Sequence, residues 1–283
     1  MTNFNIPKYI QTHLTVSKLA GGAEAFKTKR SKNNHAEDPI VSVVVIAHNE
    51  EDNILKCVSS LKNQHTEMPY EIIVVNNNST DSTQQIIDRC EVITVFEKQL
   101  GPGYARQAGM QKAKGKFHLC ADADSIYPPT YIAEMVKTLK KENVVGTFGT
   151  VSFLPGLNQK RFSFAIYEML RNPVLRLRAT KRPELVVGGA NFGFITTHAK
   201  KYGWRTDIKR GEDGSMLLNL KNDGKIVYKQ SRKSTVWTSA RTLNSDGNFS
   251  RMIMVRIRRE YKRINEYFGS SKNEYSTTGG NKL

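Results

Sequence analysis

The sequence predicts an α/β fold built on a doubly wound, largely parallel sheet. Three observations carry this. Apolar, β-branched runs such as Ile40-Val41-Ser42-Val43-Val44-Val45-Ile46-Ala47 are long enough to be strands buried on both faces. Helical patterns separate these runs, so that strands recur every ~25–30 residues, as βαβ units with right-handed crossovers require. No internal repeat or long low-complexity segment breaks the alternation.

The elements follow in order. After the first strand, Ile54, Leu55, Val58 and Leu61 share one face of a helix over 51–62. Tyr70-Glu71-Ile72-Ile73-Val74-Val75 is a second buried strand, and Ser79-Thr80-Asp81-Ser82 supplies capping oxygens for a helix over 83–89. Val92 to Phe96 is a third strand. Gly101-Pro102-Gly103 turns into a helix carrying Ala105, Ala108, Gly109 and Ala113, and Phe117 to Ala121 is a fourth strand. Tyr127-Pro128-Pro129 stops that strand before a helix over 131–140. Further on come a strand over 144–153, a basic helix over 158–178 interrupted at Pro173, and a glycine-rich strand over 186–194. A helix opens at Gly211-Glu212-Asp213-Gly214, and short strands lie at 226–228 and 235–238. Phe249 to Phe268 reads as a cationic amphipathic helix. Ile253, Ile257, Tyr261, Ile264 and Phe268 share one face, and Arg251, Arg258, Arg259, Lys262 and Arg263 lie opposite. The organisation expected is an N-terminal arm (1–38), a catalytic domain (39–241), the basic helix (242–268) and a disordered polar tail (269–283).

The chain has 283 residues with 43 Lys and Arg against 26 Asp and Glu, a net charge of +17 that favours anionic partners. No stretch approaches the ~20 apolar residues of a spanning helix, and the N-terminus lacks a signal-peptide core. Cys57, Cys90 and Cys120 are far apart and odd in number, which fits buried thiols in a reducing compartment. These features predict a cytoplasmic protein, peripheral on the inner face of a membrane if the basic helix binds anionic lipid.

The chemistry concentrates at strand ends. Leu119-Cys120-Ala121-Asp122-Ala123-Asp124-Ser125 places two carboxylates at the C-terminal end of a strand, where open α/β sheets bind ligands. Two hard oxygen donors there suit Mg²⁺ or Mn²⁺ held jointly with a substrate diphosphate. Three further stretches join them in order: Ala47-His48-Asn49-Glu50, Asn76-Asn77-Asn78-Ser79-Thr80-Asp81, and Gly211-Glu212-Asp213-Gly214. Glu212 and Asp213 also read as an ordinary acidic helix start, and Asn49-Glu50 as a cap.

With these motifs the chain resembles family 2 glycosyltransferases of the GT-A fold, from about Pro39 to Arg241. The resemblance implies a Rossmann-like nucleotide-binding domain and a metal-dependent, inverting, non-processive hexosyl or N-acetylhexosaminyl transfer from a nucleotide-diphospho-sugar. It implies that Asp124 is the principal metal ligand and that Asp122 contacts the metal or the ribose. It makes Asp213 the general base, positioned by Glu212. Ala47, Asn49 and Glu50 would approach the nucleoside, and Arg106 would contact the donor. Gly188, Gly189 and Asn191 would line the acceptor side, and Arg241 would reach the diphosphate. Where the family often has Asp accepting from a uracil N–H, this chain has Asn77, so uridine is the default base and guanosine or thymidine stay open. The processive Gln-x-x-Arg-Trp motif is absent, which argues against a polymer-extruding synthase. The acceptor, glycan or lipid-linked, is not written in the residues. His48 and His198 have no metal-ligand spacing and read as loop and helix residues.

Two other functions compete. A nucleotidyltransferase would carry a Gly-rich phosphate loop where Ala47-His48-Asn49-Glu50 stands. A non-catalytic nucleotide or nucleic-acid binder would explain the charge, but no nucleic-acid-binding motif appears, and no nucleic acid partner is expected.

Overall fold

The computed structural model describes residues 4–15, 38–156 and 159–241. The basic helix at 249–268 and the tail from Gly269 lie outside these residues.

A short helix, α1 (Lys8–Leu14), precedes β1 (Val41–Ala47), α2 (Ile54–Lys62), β2 (Tyr70–Asn76), α3 (Thr83–Asp88), β3 (Ile93–Phe96), α4 (Pro102–Lys112) and β4 (Phe117–Asp122). Next come β5 (Ser125–Ile126), α5 (Tyr131–Leu139), β6 (Val144–Gly149), β7 (Val151–Leu154), α6 (Arg161–Lys181), β8 (Phe192–Ile195), α7 (Thr196–Tyr202), α8 (Glu212–Leu220), β9 (Lys225–Lys229) and β10 (Val236–Ser239). The main sheet has seven strands in the order β3-β2-β1-β4-β8-β6-β9. Only β8 runs against its neighbours β4 and β6. A second sheet, β5-β10-β7, sits beside it.

The alternation of side chains along β1 explains the layers. Val43 and Val45 face one side, where they join Ile54, Val58 and Leu61 of α2 and Ile132, Met135 and Val136 of α5. Val44 faces the other side with Ile73, Val75 and Ala105 of α4. Gly109 lets α4 lie that close: a Cβ there would stand 2.3 Å from Val44 Cγ1. At the far end of the sheet, Phe148, Phe192 and Phe194 pack on Met216, Leu217 and Leu220 of α8.

The structure differs from the sequence reading in four places. The run 144–153 is two strands in different sheets, because the chain turns at Thr150, whose carbonyl accepts from Asn191 Nδ2 at 2.9 Å. The glycine-rich stretch becomes strand only at Phe192, after 3₁₀ turns at Pro183–Leu185 and Gly189–Asn191. The long helix continues through Pro173, which lies on its exposed side while Phe164, Tyr167 and Val174 anchor the other. The N-terminal stretch, polar and weakly patterned in sequence, holds α1. Its Ile10 is buried among Ile126, Leu154 and Trp237 of the small sheet. Cys57, Cys90 and Cys120 are buried and unbridged. Among the described residues no helix is long and apolar enough to cross a membrane.

Candidate active site

The parallel register pairs Ala47 with Asn76, so the loops after β1 and β2 leave the sheet side by side. Asn49 ties them together. Its N–H donates to Ser79 Oγ (3.0 Å), and its Oδ1 accepts the Thr80 N–H (2.8 Å). It does this from a left-handed conformation, φ 53°, which asparagine tolerates better than most residues. His48 Nδ1 lies 2.8 Å from the Asn77 carbonyl oxygen. Asp81 accepts the N–H of Thr83, the first residue of α3, at 2.9 Å. The buried Glu50 accepts from Asn53 Nδ2 (2.8 Å) and pairs with Arg241. Burial pushes the Glu50 carboxyl up, against the pull of these two partners.

Asn77 is fully engaged within the protein. Its Nδ2 donates to the carbonyls of Gln99 (2.6 Å) and Glu97 (3.3 Å), and its Oδ1 accepts the Gly101 N–H (2.9 Å). Aspartate has no donor for the two carbonyls, so an amide at this position clamps the 97–101 loop as a carboxylate does not.

Beyond β4 the two aspartates have different surroundings. The Asp122 N–H donates to Tyr127 Oη (3.0 Å), whose own proton goes to the Ala190 carbonyl (3.0 Å). Asp122 Oδ1 accepts from Arg106 Nη2 at 3.0 Å. Burial pushes Asp122 up to about 6; Arg106 opposes this, and Asp124 and Asp213 add to it. Asp124 is held by hydroxyls: Ser239 Oγ donates to Oδ2 (2.6 Å), and Thr238 Oγ1 and Ser125 Oγ lie 3.2 Å from Oδ1. Arg241 Nη2 stands 4.0 Å from Oδ2.

Gly211, in the left-handed region at φ 91°, starts α8 and places Glu212 and Asp213 in its first turn. Arg106, buried on α4, joins them to Asp122. Its Nε lies 3.1 Å from Asp213 Oδ1 and 3.7 Å from Glu212 Oε1, and its guanidinium stands 5.5 Å from the Trp204 ring centroid. Burial disfavours the charge on Arg106, but the carboxylates of Asp213, Asp122 and Glu212 outweigh it. Burial pushes Asp213 up to about 6 as well; Arg106 pulls it down and Glu212 pushes it further up. Among the described residues Asp213 Oδ1 receives no hydrogen bond. Gly189 makes room for the guanidinium: a Cβ there would stand 1.5 Å from Arg106 Nη2.

These groups surround one cavity of about 720 Å³. Ala47, Glu50, Asn77, Arg106, Asp122, Asp124, Glu212 and Asp213 line it. Asn49, Gly189, Asn191 and Arg241 stand outside the wall. Asn191 Nδ2 is spent on the carbonyls of Thr150 and Ser234, both at 2.9 Å. His198 lies on α7, 2.7 Å from Asp223. Sequence reasoning missed the wall formed by residues 206–209 and the 100–103 turn. The basic pair Lys209-Arg210 directly before Gly211 was the available signal. Carboxylates outnumber cations in the wall: Glu50, Asp122, Asp124, Asp207, Glu212 and Asp213 face Arg106 and Lys209.

The model of the glycosyl transferase family 2 matches residues 42–203, more than half of the chain. A poly(ribitol-phosphate) beta-glucosyltransferase of Bacillus spizizenii is 38% identical over 189 residues, 63% of this chain and 29% of that protein. Glycosyltransferase AglE of Haloferax volcanii is 29% identical over 41% of this chain and 40% of its own length. The chain thus spans well under two thirds of either relative. In structure it is similar to the mannosyltransferase PcManGT of Pyrobaculum calidifontis, solved with GDP-Man and Mn²⁺. The TM-score is 0.60 at 17% identity, covering 89% of this chain and 71% of that one. It is also similar to S. aureus TarS solved with UDP, with a TM-score of 0.54 at 19% identity, covering 83% and 76%. These likenesses show the GT-A fold that the motifs implied. The chain belongs to glycosyl transferase family 2.

Proposed function

We propose that this protein transfers a sugar, with inversion, from a nucleotide-diphospho-sugar to an acceptor hydroxyl, and that residues 39–241 form its catalytic domain. One observation carries the reading. Arg106 joins the strand-end Asp122 to Asp213 on the first turn of α8, so the donor-side and acceptor-side carboxylates share one cavity.

Asp122 and Asp124 fit a divalent cation. They are hard oxygen donors on the wall of a cavity with surplus negative charge, and the charge of Asp124 adds to the upward push on the Asp122 carboxyl. They would hold Mn²⁺ or Mg²⁺, which when bound supplies positive charge to the departing diphosphate. Lys209 adds a fixed cation to the wall. The Mn²⁺ and GDP-Man bound to the archaeal mannosyltransferase, and the UDP bound to TarS, support the donor class and the ion.

Asp213 performs the proton transfer. With its carboxyl near pH 6 it is ionised at neutrality, yet more basic than a solvated aspartate. It takes the proton of the acceptor hydroxyl as that oxygen bonds to the anomeric carbon from the face opposite the diphosphate. The bond from the anomeric carbon to the diphosphate oxygen breaks with its electron pair, and the nucleoside diphosphate leaves. Arg106 holds Asp213 in place and Glu212 sits behind it.

A UDP-sugar remains the default donor and a glycan or lipid-linked alcohol the acceptor. A nucleotide-sugar panel with Mn²⁺ and with Mg²⁺, scored by thermal shift and donor hydrolysis, tests base, sugar and ion without an acceptor. Stabilisation by at least one nucleotide-sugar, dependent on the ion, is expected. No response to any donor would overturn the reading.

A further inference from the structure

The outer face of α6 is an apolar stripe that the described residues leave uncovered. Phe162, Ile166, Met169, Leu170, Pro173 and Leu177 are spaced four, three, one, three and four apart and share one side of the helix. Phe162 is 60% exposed, and Met169 and Leu177 are each 48% exposed. Phe4 extends the patch, with its ring 6.0 Å from that of Phe162 and also exposed. Exposed Lys160, Arg176 and Lys181 flank the stripe at its two ends. The inner face is packed: Arg161 forms a buried pair with Glu168, and Phe164 and Tyr167 pack on Phe153. The outer stripe is therefore not a side effect of a poorly buried helix.

We infer that α6 lies on an anionic lipid surface, its apolar stripe inserted between headgroups and its basic ends on their phosphates. Charge selects this occupant. A second copy seated on the stripe would bring two chains of net charge +17 together, with their Lys160, Arg176 and Lys181 ends adjacent. The chain's own segment after Arg241 brings Arg251, Arg256, Arg258, Arg259, Lys262 and Arg263 against only Glu260 and Glu266 between 249 and 268. Like charge disfavours its packing beside α6. An anionic bilayer attracts both stretches at once. A helix of 21 residues gives such a surface a contact roughly 30 Å long. The placement also bears on the site. α6 covers β7, which pairs with β10, and β10 carries the hydroxyls that hold Asp124. The inference does not depend on the donor or on the reaction.

Co-sedimentation of the full-length protein with vesicles of phosphatidylcholine, with or without phosphatidylglycerol, tests it. Wild type should pellet only with the anionic vesicles and be released by salt. The double variant Phe162→Ser, Leu177→Ser should bind at least ~10-fold more weakly at a nearly unchanged melting temperature, since both side chains are exposed and the Phe4 ring beside Phe162 is exposed too. A Leu170→Cys variant, labelled with an environment-sensitive dye, reads the face directly because the three native cysteines are buried. Its emission should be water-like alone and shift to the blue only with anionic vesicles. Equal pelleting of wild type and double variant would overturn the inference, as would absence of pelleting altogether. A dye already shielded without lipid would also overturn it and assign the face to a second copy or to the chain's own C-terminal segment.

Discussion

At residue scale the arrangement around Arg106 decides most. Asp213→Asn keeps the shape and removes the base, so turnover should fall by ~10²–10⁴ with donor affinity little changed. As the proposed base works in its ionised form and its carboxyl is raised to about 6, kcat of the wild type should rise with pH through that value. Steady-state rates from pH 5 to 8 check this, and a profile flat below pH 6 would remove Asp213 from the role. Gly189→Ala is the sharper test of geometry. Its Cβ and Arg106 Nη2 cannot both occupy their places, so the arginine must leave Asp122. Activity should drop by more than about tenfold while the fold persists, as expected when a positioning contact is lost. Asp122 and Asp124 were legible in the sequence because charge at the end of an apolar strand is anomalous, whereas Glu212 and Asp213 also fit an ordinary helix start. Arg106 was legible as a donor contact or as a solvated helical arginine, but its three carboxylate partners were not, since they come from segments 16 to 107 residues away. The clamp made by Asn77 was not legible, because its carbonyl partners belong to a loop with no motif.

At element scale β4 carries a hidden titration. His118 is fully buried, stacked 4.6 Å from Phe194, and neither ring nitrogen has a hydrogen-bond partner among the described residues. Burial pushes its pKa down to about 3, with Arg106 and Lys200 adding to the effect. The unfolded chain takes up this proton near pH 6.5 and the folded chain only near 3, so between these values acid favours unfolding. The stability withheld is fully present above pH 6.5 and falls by at most ~1.4 kcal/mol per pH unit below it. Asp122 and Asp213, raised toward 6, work with the opposite sign in the same window, so a comparison of variants isolates the histidine. His118→Leu should lose stability less steeply than wild type between pH 6.5 and 4.5 in urea titrations, and parallel curves would refute it. The parallel strands were legible because β-branched runs with no polar face can only be buried on both sides. The break at Thr150 was not, since it depends on an amide 41 residues later. Nor was α1, a helix of two turns whose stability comes from the tertiary pocket around Ile10.

At the scale of the whole molecule, net positive charge coexists with a cavity whose charged wall residues are mostly acidic. In the proposed reaction an anionic diphosphate enters this site of surplus carboxylates, and a divalent cation on Asp122 and Asp124 would offset that charge. Nucleoside diphosphate affinity measured by calorimetry should therefore depend on Mn²⁺ or Mg²⁺. Asp124→Ala should abolish the dependence while leaving the melting temperature nearly unchanged, and equal affinity with and without the ion in wild type would contradict the assignment.

The hydroxyls on Asp124 come from Thr238 and Ser239, 114 and 115 residues further along the chain. The strand that carries them joins two partners, β5 and β7, which are not bonded to each other without it. During synthesis the paired aspartates emerge from the ribosome long before the residues that orient one of them. A nascent chain stopped short of Val236 holds the carboxylates with Asp124 left only the Ser125 hydroxyl and the small sheet unclosed. Closure of the small sheet, and with it the full set of hydroxyls on Asp124, thus waits for the end of translation of this unit.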